Sequence, residues 1–223
     1  LQSLIAGRWL GADAAVPLEV TLEAFSPFIP LSVDDSSLPL TVQKFTLHNP
    51  TDKTVTGQLV GWMENVVGAQ LEPGEGIRKN QMVSGEGFVG VECGATAPDA
   101  DQRHIGTMVM AFLEPEGIVA AHRGEQGMLS GGSAMAEGDL RAALQGQVAT
   151  SFSLEPGETR VMTSCLAWHF PNLRLTPMPK VTGHYYAQRF ASALAVVAYF
   201  VAEKVRLVET TFLWRETWYG STL

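Results

Sequence analysis

A clean alternation of apolar and polar residues marks the stretch Leu18-Glu19-Val20-Thr21-Leu22-Glu23-Ala24-Phe25. Apolar side chains occupy every second position of it, and Glu19, Thr21 and Glu23 lie between them. Successive side chains of a strand point to opposite faces of the sheet. The alternation therefore predicts a strand with one buried face and one hydrated face.

Similar alternation recurs along the chain. Residues 44–48 and 54–64 alternate on either side of the turn Asn49-Pro50-Thr51-Asp52, which predicts a β-hairpin. Further strand-like runs cover residues 87–92, 106–113, 117–122, 147–154 and 160–170. Short strands separated by Gly and Pro are typical of a mainly β protein, and we predict an antiparallel β-sandwich over residues 1–183.

One tight turn is used repeatedly. Leu154-Glu155-Pro156-Gly157-Glu158 repeats the sequence of residues 71–75, and residues 113–117 are a near copy. Proline fixes φ at the second turn position and glycine accepts a positive φ at the third, so each Pro-Gly copy closes a turn between strands.

Two segments depart from the strand period. Residues 123–146 are rich in glycine, and we expect a mobile loop there with one short helical turn that Asp139 caps. From Ala187 to Arg215 apolar residues recur at spacings of four and three, which predicts a helix about 43 Å long. The stripe comprises Phe190, Leu194, Val197, Val201, Val205, Val208 and Phe212. We therefore predict a long C-terminal linker helix within residues 184–223.

The predicted linker helix ends in a cluster of aromatic residues. Trp214, Trp218 and Tyr219 lie within its last turns. Large aromatic side chains grouped on a surface are unfavourable in water, so we expect these three to form a domain interface with protein that follows them.

Composition excludes several classes of protein. The 223 residues carry a formal net charge of −8 and no basic cluster longer than Arg78-Lys79, so we expect no nucleic-acid partner. A hydrophobic content of 46% excludes a disordered chain. Cys93 and Cys165 stand apart in the sequence, which predicts buried, reduced thiols. The apolar run 190–202 is shorter than the roughly 20 residues of a transmembrane helix, so we expect no transmembrane segment.

The sequence motifs supply no catalytic, cofactor-binding or metal-binding residues. Residues 85–90 match GxGxxG but continue as a strand, whereas a dinucleotide site needs a helix there. The histidines lack the spacing of metal ligands. Glycoside hydrolysis needs two carboxylates facing one cleft, whereas Asp34-Asp35 and the pair Asp99 and Asp101 lie in loops. We interpret these acids as solvated turn residues, and we expect no cofactor.

Three stretches are more specific than a generic sandwich requires. They are residues 22–39, then Trp168-His169-Phe170-Pro171-Asn172, then Gly183-His184-Tyr185-Tyr186-Ala187-Gln188-Arg189-Phe190. With the closing residues 213–223, they resemble the N-terminal domain and following linker of glycoside hydrolase family 116. That is the family of non-lysosomal glucosylceramidase, also called bile acid β-glucosidase. The resemblance covers roughly residues 17–223.

The resemblance implies a β-sandwich and a linker helix that lead into an (α/α)6 barrel. In such a retaining β-glucosidase the barrel carries both catalytic carboxylates, which have no counterpart in this chain. The chain is therefore not expected to be active alone. The implied partners are the C-terminal catalytic domain of the same parent chain and, indirectly, a β-glucoside or glucosylceramide-like substrate.

The beginning of the chain departs from the family pattern. Residues 1–16 do not resemble the family's opening segment, and residue 1 is a leucine rather than a methionine. We therefore expect a fragment or a processed protein. The compartment stays undecided, with the cytoplasm favoured.

The leading hypothesis is a non-catalytic domain that braces the catalytic domain and shapes the substrate entrance. We predict Asn172, His184, Tyr185 and Tyr186 near the domain junction, because they follow the last strand and precede the linker helix. The alternative role for these residues is structural: Asn172 caps a turn and the tyrosines seal the start of the helix against the sandwich.

A second hypothesis is a stand-alone carbohydrate-binding or structural module. Trp62, Trp168 and the pair Tyr185-Tyr186 would then offer stacking platforms for sugar rings. Against it, both tryptophans lie within strand patterns, which places them in the predicted core.

Overall fold

The mainly β fold is confirmed. The computed structural model describes residues 9–13, 16–69, 76–97, 104–115, 118–121, 135–140, 144–173 and 183–221. Its strands are β1 (Trp9–Asp13), β2 (Val16–Phe25), β3 (Leu40–His48), β4 (Val55–Glu64), β5 (Ile77–Gly85), β6 (Phe88–Thr96), β7 (Thr107–Leu113), β8 (Ile118–Ala121), β9 (Met135–Asp139), β10 (Gln145–Leu154) and β11 (Thr159–His169). The helices are the short α1 (Val33–Ser36) and the 28-residue α2 (Ala193–Gly220), with a 3₁₀ turn at Tyr185–Gln188.

The described strands form two antiparallel sheets. The larger has eight strands in the order β1-β2-β3-β11-β7-β6-β5-β9, and the smaller has three in the order β4-β10-β8. The eight-stranded sheet is the middle layer of the domain, because the three-stranded sheet covers one of its faces and α2 covers the other. This is the predicted sandwich with a helix added on one outer face.

Strand β7 shows the consequence of this layering. Val109, Ala111 and Leu113 belong to the core beneath α2, whereas Met110 and Phe112 belong to the core between the two sheets. Strands that are buried on both faces lose the polar half of their alternation. The unbroken apolar run of residues 108–113 is therefore the sequence of a central strand.

The predicted hairpin of residues 44–48 and 54–64 is wrong. Strand β3 pairs with β2 and β11, and β4 pairs with β10 in the other sheet. The turn between them crosses from one sheet to the other, and the Pro-Gly turn between β10 and β11 crosses beside it. The buried Asn49 ties the two crossings together, because its Nδ2 donates to the carbonyls of Leu154 and Glu155 at 3.0 and 3.1 Å.

Helix α2 begins later than the stripe predicts. Ser192 is the N-cap, since its hydroxyl accepts from the amide of Ala195 at 3.2 Å, and the residues before it form the 3₁₀ turn. The buried face comprises Ala193, Val196, Val197, Phe200, Leu207 and Thr211. Val205 is 63% exposed, so its place in the predicted stripe is wrong.

The prediction of an irregular loop over residues 123–146 is wrong where the structure describes it. Met135–Asp139 pairs with β5 as the outer strand β9, so Asp139 ends a strand there. The residues that would follow it in a helical turn, 141–143, lie outside the described residues, as do 122–134.

The predicted Pro-Gly turn at residues 155–158 is confirmed. Gly157 has φ of +74° in a turn closed by the amide of Glu158 and the carbonyl of Glu155 at 2.9 Å. The GxGxxG match belongs to a hairpin, because Gly85 pairs with Phe88 where β5 turns into β6. The repeat at residues 71–75 lies outside the described residues.

Candidate domain-junction site

The three specific stretches of the sequence meet at one end of the sandwich. The amide of Trp168 donates to the carbonyl of Pro39 at 3.0 Å, which joins the first stretch to the second. The amide of His184 donates to the carbonyl of Pro171 at 3.2 Å, which joins the second to the third. Asn172 is half-buried beside that contact. The predicted junction residues therefore lie in one region of the described fold.

Tyr186 fastens the 3₁₀ turn to the end of β11. Its hydroxyl donates to the carbonyl of Phe170 at 3.0 Å and accepts from the amide of the same residue at 3.3 Å. The ring of His184 stacks on it with centroids 5.0 Å apart. Burial raises the pKa of Tyr186 above its usual value. These contacts favour the structural role that we considered for this tyrosine.

Tyr185 points the other way and is 46% exposed. Its hydroxyl donates to the Oδ1 atom of Asp34, and this bond raises the pKa of the phenol. Arg189 donates to the backbone carbonyl of Asp34 and lies 3.8 Å from its carboxylate. Tyr185 thus presents an accessible ring on a polar clamp that joins the 3₁₀ turn to α1.

Asp35 lies deeper and is not the solvated turn acid that we expected. It is 7% exposed, and Arg206 of α2 donates to both of its carboxylate oxygens at 2.9 and 3.1 Å. The hydroxyls of Ser32 and Tyr199 add hydrogen bonds at 2.9 and 3.1 Å. The Arg206 guanidinium in particular lowers the pKa of Asp35 to about 2.

Sequence reasoning missed this ion pair. Asp35 lies inside the specific stretch of residues 22–39, which was the available signal for it. The partner is 171 residues away on a helix face that carries no distinctive motif. Asp99 and Asp101, the other neighbouring acids, lie outside the described residues.

The last turns of α2 carry the predicted interface aromatics. Trp214 packs edge-on against Phe28 at 4.9 Å and stacks on Trp218 at 5.9 Å. Trp218 and Tyr219 are 62% and 67% exposed. The helix therefore ends in an apolar surface that is only partly covered within the described residues.

One of the two tryptophans of the second hypothesis lies outside the predicted core. Trp62 is 58% exposed on β4, so its predicted place in the core is wrong. Trp168 is half-buried. An exposed tryptophan on a sheet face is a surface on which a sugar ring can stack.

The described residues offer little for metal or thiol chemistry. They contain no group of three or more His, Cys, Asp or Glu side chains that could hold a metal ion. Cys93 and Cys165 are fully buried, as predicted, and burial raises the pKa of each thiol to about 12. None of the helices in the described part is long and apolar enough to cross a membrane.

The chain was compared with solved structures and with curated proteins. Among solved structures, one similar chain is provisionally named as a kojibiose phosphorylase from the human microbiome. It shares 12% identity at a TM-score of 0.42, and the match covers 87% of this chain but 20% of that one. No curated protein matches significantly.

The family match is extensive. Residues 9–207 match the family described as beta-glucosidase 2, glycosyl-hydrolase family 116, N-terminal. The match begins before Pro17, where we expected the resemblance to start, and takes in strand β1. It ends before the residues that we likened to the linker. The chain belongs to the N-terminal domain family of glycosyl hydrolase family 116.

Proposed function

We propose that this domain braces the catalytic domain of a family 116 glycoside hydrolase and lines one side of its substrate entrance. The observation that carries the proposal is the construction of α2. Its first turns are fixed in the sandwich core through Val196, Val197 and Phe200, while its last turns expose Trp218 and Tyr219. A rigid helix with one end anchored and one end apolar is suited to hold a following domain in place.

The polar clamp supports the second part of the proposal. Tyr185 is half-exposed at the end of the sandwich where the chain turns into α2. Its ring and the Asp34 carboxylate offer apolar contact and a hydrogen-bond acceptor, which are the features that a glycoside or its aglycone needs at the rim of a site. The substrate would contact this domain only at the entrance, because the catalytic carboxylates belong to the other domain.

The test uses the full-length parent enzyme with matched tryptophan variants. Trp218→Ser should lower the melting temperature by several degrees, because an interface tryptophan is commonly worth about 2 kcal/mol or more. Trp62→Ser is the control, since Trp62 is similarly exposed but lies on the three-stranded sheet. Tyr185→Ala, which removes the exposed ring, should raise KM for an aryl β-glucoside. Equal melting temperatures for the two tryptophan variants would contradict the bracing role.

Carbohydrate binding is the second candidate, and the exposure of Trp62 favours it. Calorimetric titration of the chain with glucosides at millimolar concentration, with Trp62→Ser as the control, separates the two functions. Heat that disappears in the variant would favour the binding module.

A further inference from the structure

The turn at residues 29–32 holds a leucine in a conformation that suits glycine. The amide of Ser32 donates to the carbonyl of Ile29 at 3.0 Å, which closes a β-turn with Pro30 and Leu31 at its centre. Leu31 has φ of +68°. Proline followed by a residue of positive φ is the pattern of a type II turn, whose third position normally holds Gly or Asn because a Cβ atom is strained there.

The same chain uses glycine in the equivalent turn elsewhere. Pro156 and Gly157 occupy the centre of the turn between β10 and β11, and Gly157 has φ of +74°. The Leu31 side chain therefore makes no packing contribution to this domain, because the residue is fully exposed. Strained residues persist where the surrounding structure holds them in place, and they cluster at functional sites.

The turn is held rigidly from both sides. Ser36 bonds Ile29 twice, since its hydroxyl donates to the carbonyl at 2.8 Å and accepts from the amide at 3.0 Å. Ser32 caps α1 by accepting from the amide of Asp35 at 3.3 Å, and Asp35 is held by Arg206 of α2. The exposed leucine is thus presented by a pre-organised support, which lowers the entropy lost when a partner binds.

We infer that Leu31, with the 66% exposed Val33 beside it, is a docking anchor for the C-terminal remainder of the same parent chain. This inference rests on the proposed function and names a second contact of the brace. The surface is continuous with the end of α2, because Phe28 precedes the turn and packs on Trp214. Leu213, 65% exposed, lies seven residues after Arg206 and therefore on the same side of the helix.

The continuity of this surface with the end of α2 indicates which partner would cover it. Trp214 in the last turns of α2 packs on Phe28, which lies just before the Leu31 turn, so a segment that follows α2 in the parent chain would be held at high effective concentration. An intramolecular partner outcompetes a second copy under those conditions. A hydrophobic anchor on a rigid turn, flanked by an apolar helix end, fits a packed protein surface.

The direction in which one substitution shifts the melting temperature of the full-length parent enzyme tests the inference. Leu31→Gly keeps the turn and removes its strain, so without a partner contact it should raise the melting temperature. If Leu31 is an anchor, the variant should instead melt several degrees lower. Val161→Ala is the matched control, because Val161 is 54% exposed near the opposite end of β11 and should leave the melting temperature unchanged.

Hydroxyl-radical footprinting of the wild-type enzyme gives an independent readout. Leu31 should be oxidised about tenfold more slowly in the parent enzyme than an exposed leucine, because anchor side chains are desolvated when docked. Full reactivity of Leu31, or protection that depends on protein concentration and so indicates a second copy, would overturn the inference. If Trp218→Ser destabilises the enzyme while Leu31 stays reactive, the brace stands and the anchor fails; if both tests fail, the proposed function fails too.

Discussion

Replacing Asp35 by asparagine should destabilise the domain in a way that depends on pH. The carboxylate accepts from both terminal guanidinium nitrogens of Arg206, from Ser32 and from Tyr199. It thereby connects α1 to the middle of α2. Asparagine keeps the shape but loses the charge, so the variant isolates the electrostatic part of this contact.

The magnitude follows from the pKa of Asp35. A carboxyl pKa lowered from 3.8 to about 2 corresponds to about 2 kcal/mol of native-state stability at neutral pH. The Arg206 side chain is 45% exposed, so solvent screens the pair and about 1–2 kcal/mol is expected. Because the folded pKa is the lower one, the stabilisation is present above about pH 4 and is lost as the pH falls towards 2.

Urea unfolding of the 223-residue chain at pH 7, 4 and 2.5 measures this dependence. The difference in unfolding free energy between wild type and Asp35→Asn should be largest at pH 7 and should shrink at pH 2.5. Asp34→Asn is the control, since the side chain of Asp34 is 58% exposed. A difference that is the same at all three pH values, or an equal loss in the control, would contradict the stabilising role of the charged Asp35–Arg206 pair.

Two further predictions concern the core. Gly90→Ala should lower the free energy of unfolding by about 1–3 kcal/mol, because the new Cβ atom would lie 2.4 Å from the Met110 carbonyl oxygen of β7. Gly94→Ala on the same strand is the control and should lower it less, because its Cβ atom would meet nothing closer than 3.7 Å. Urea unfolding of the two variants measures the difference. Cys93 and Cys165 should resist iodoacetamide at pH 8 in the native chain and react once urea unfolds it, because burial raises each thiol pKa to about 12. Alkylation of either thiol without unfolding would contradict that burial.

Strands whose apolar residues alternate with polar ones were predictable from the sequence. Strand β5 was not predicted, and its composition shows why. Its buried positions include Arg78 and Asn80, so the side chains that face inward are polar and hide the period. Each makes a tertiary hydrogen bond: Arg78 donates to the carbonyl of Val67 at 3.0 Å, and the Oδ1 atom of Asn80 accepts from Asn65 at 2.8 Å. The Nδ2 atom of Asn80 has no partner among the described residues. A strand whose inner face is polar carries no local hydrophobic signal.

Strand partners were harder to predict than strands. The alternation of β3 and β4 is correct for each strand, but it does not state which sheet either strand joins. The contact that ties the two sheet crossings together is made by Asn49, whose side-chain amide binds a turn more than 100 residues away in the sequence. Local alternation does not reveal such a contact. The candidate site shows the same limit: the specific stretches were recognised, while the Asp35–Arg206 pair that joins one of them to α2 depends on a fold not yet known.

The position of α2 bears on how a brace would work. A flexible linker would leave the following domain free to move, and it would need few apolar residues. Five residues of this helix are fully buried: Ala193, Val196, Val197, Phe200 and Leu207. The helix therefore cannot change its orientation without exposing the core between it and the eight-stranded sheet. Asp35 and the turn before it then fix the helix on a second side. A domain attached to the end of α2 would inherit the orientation of the sandwich, and the proposed contacts at Trp218 and Leu31 would have to resist only local rotation about the helix end.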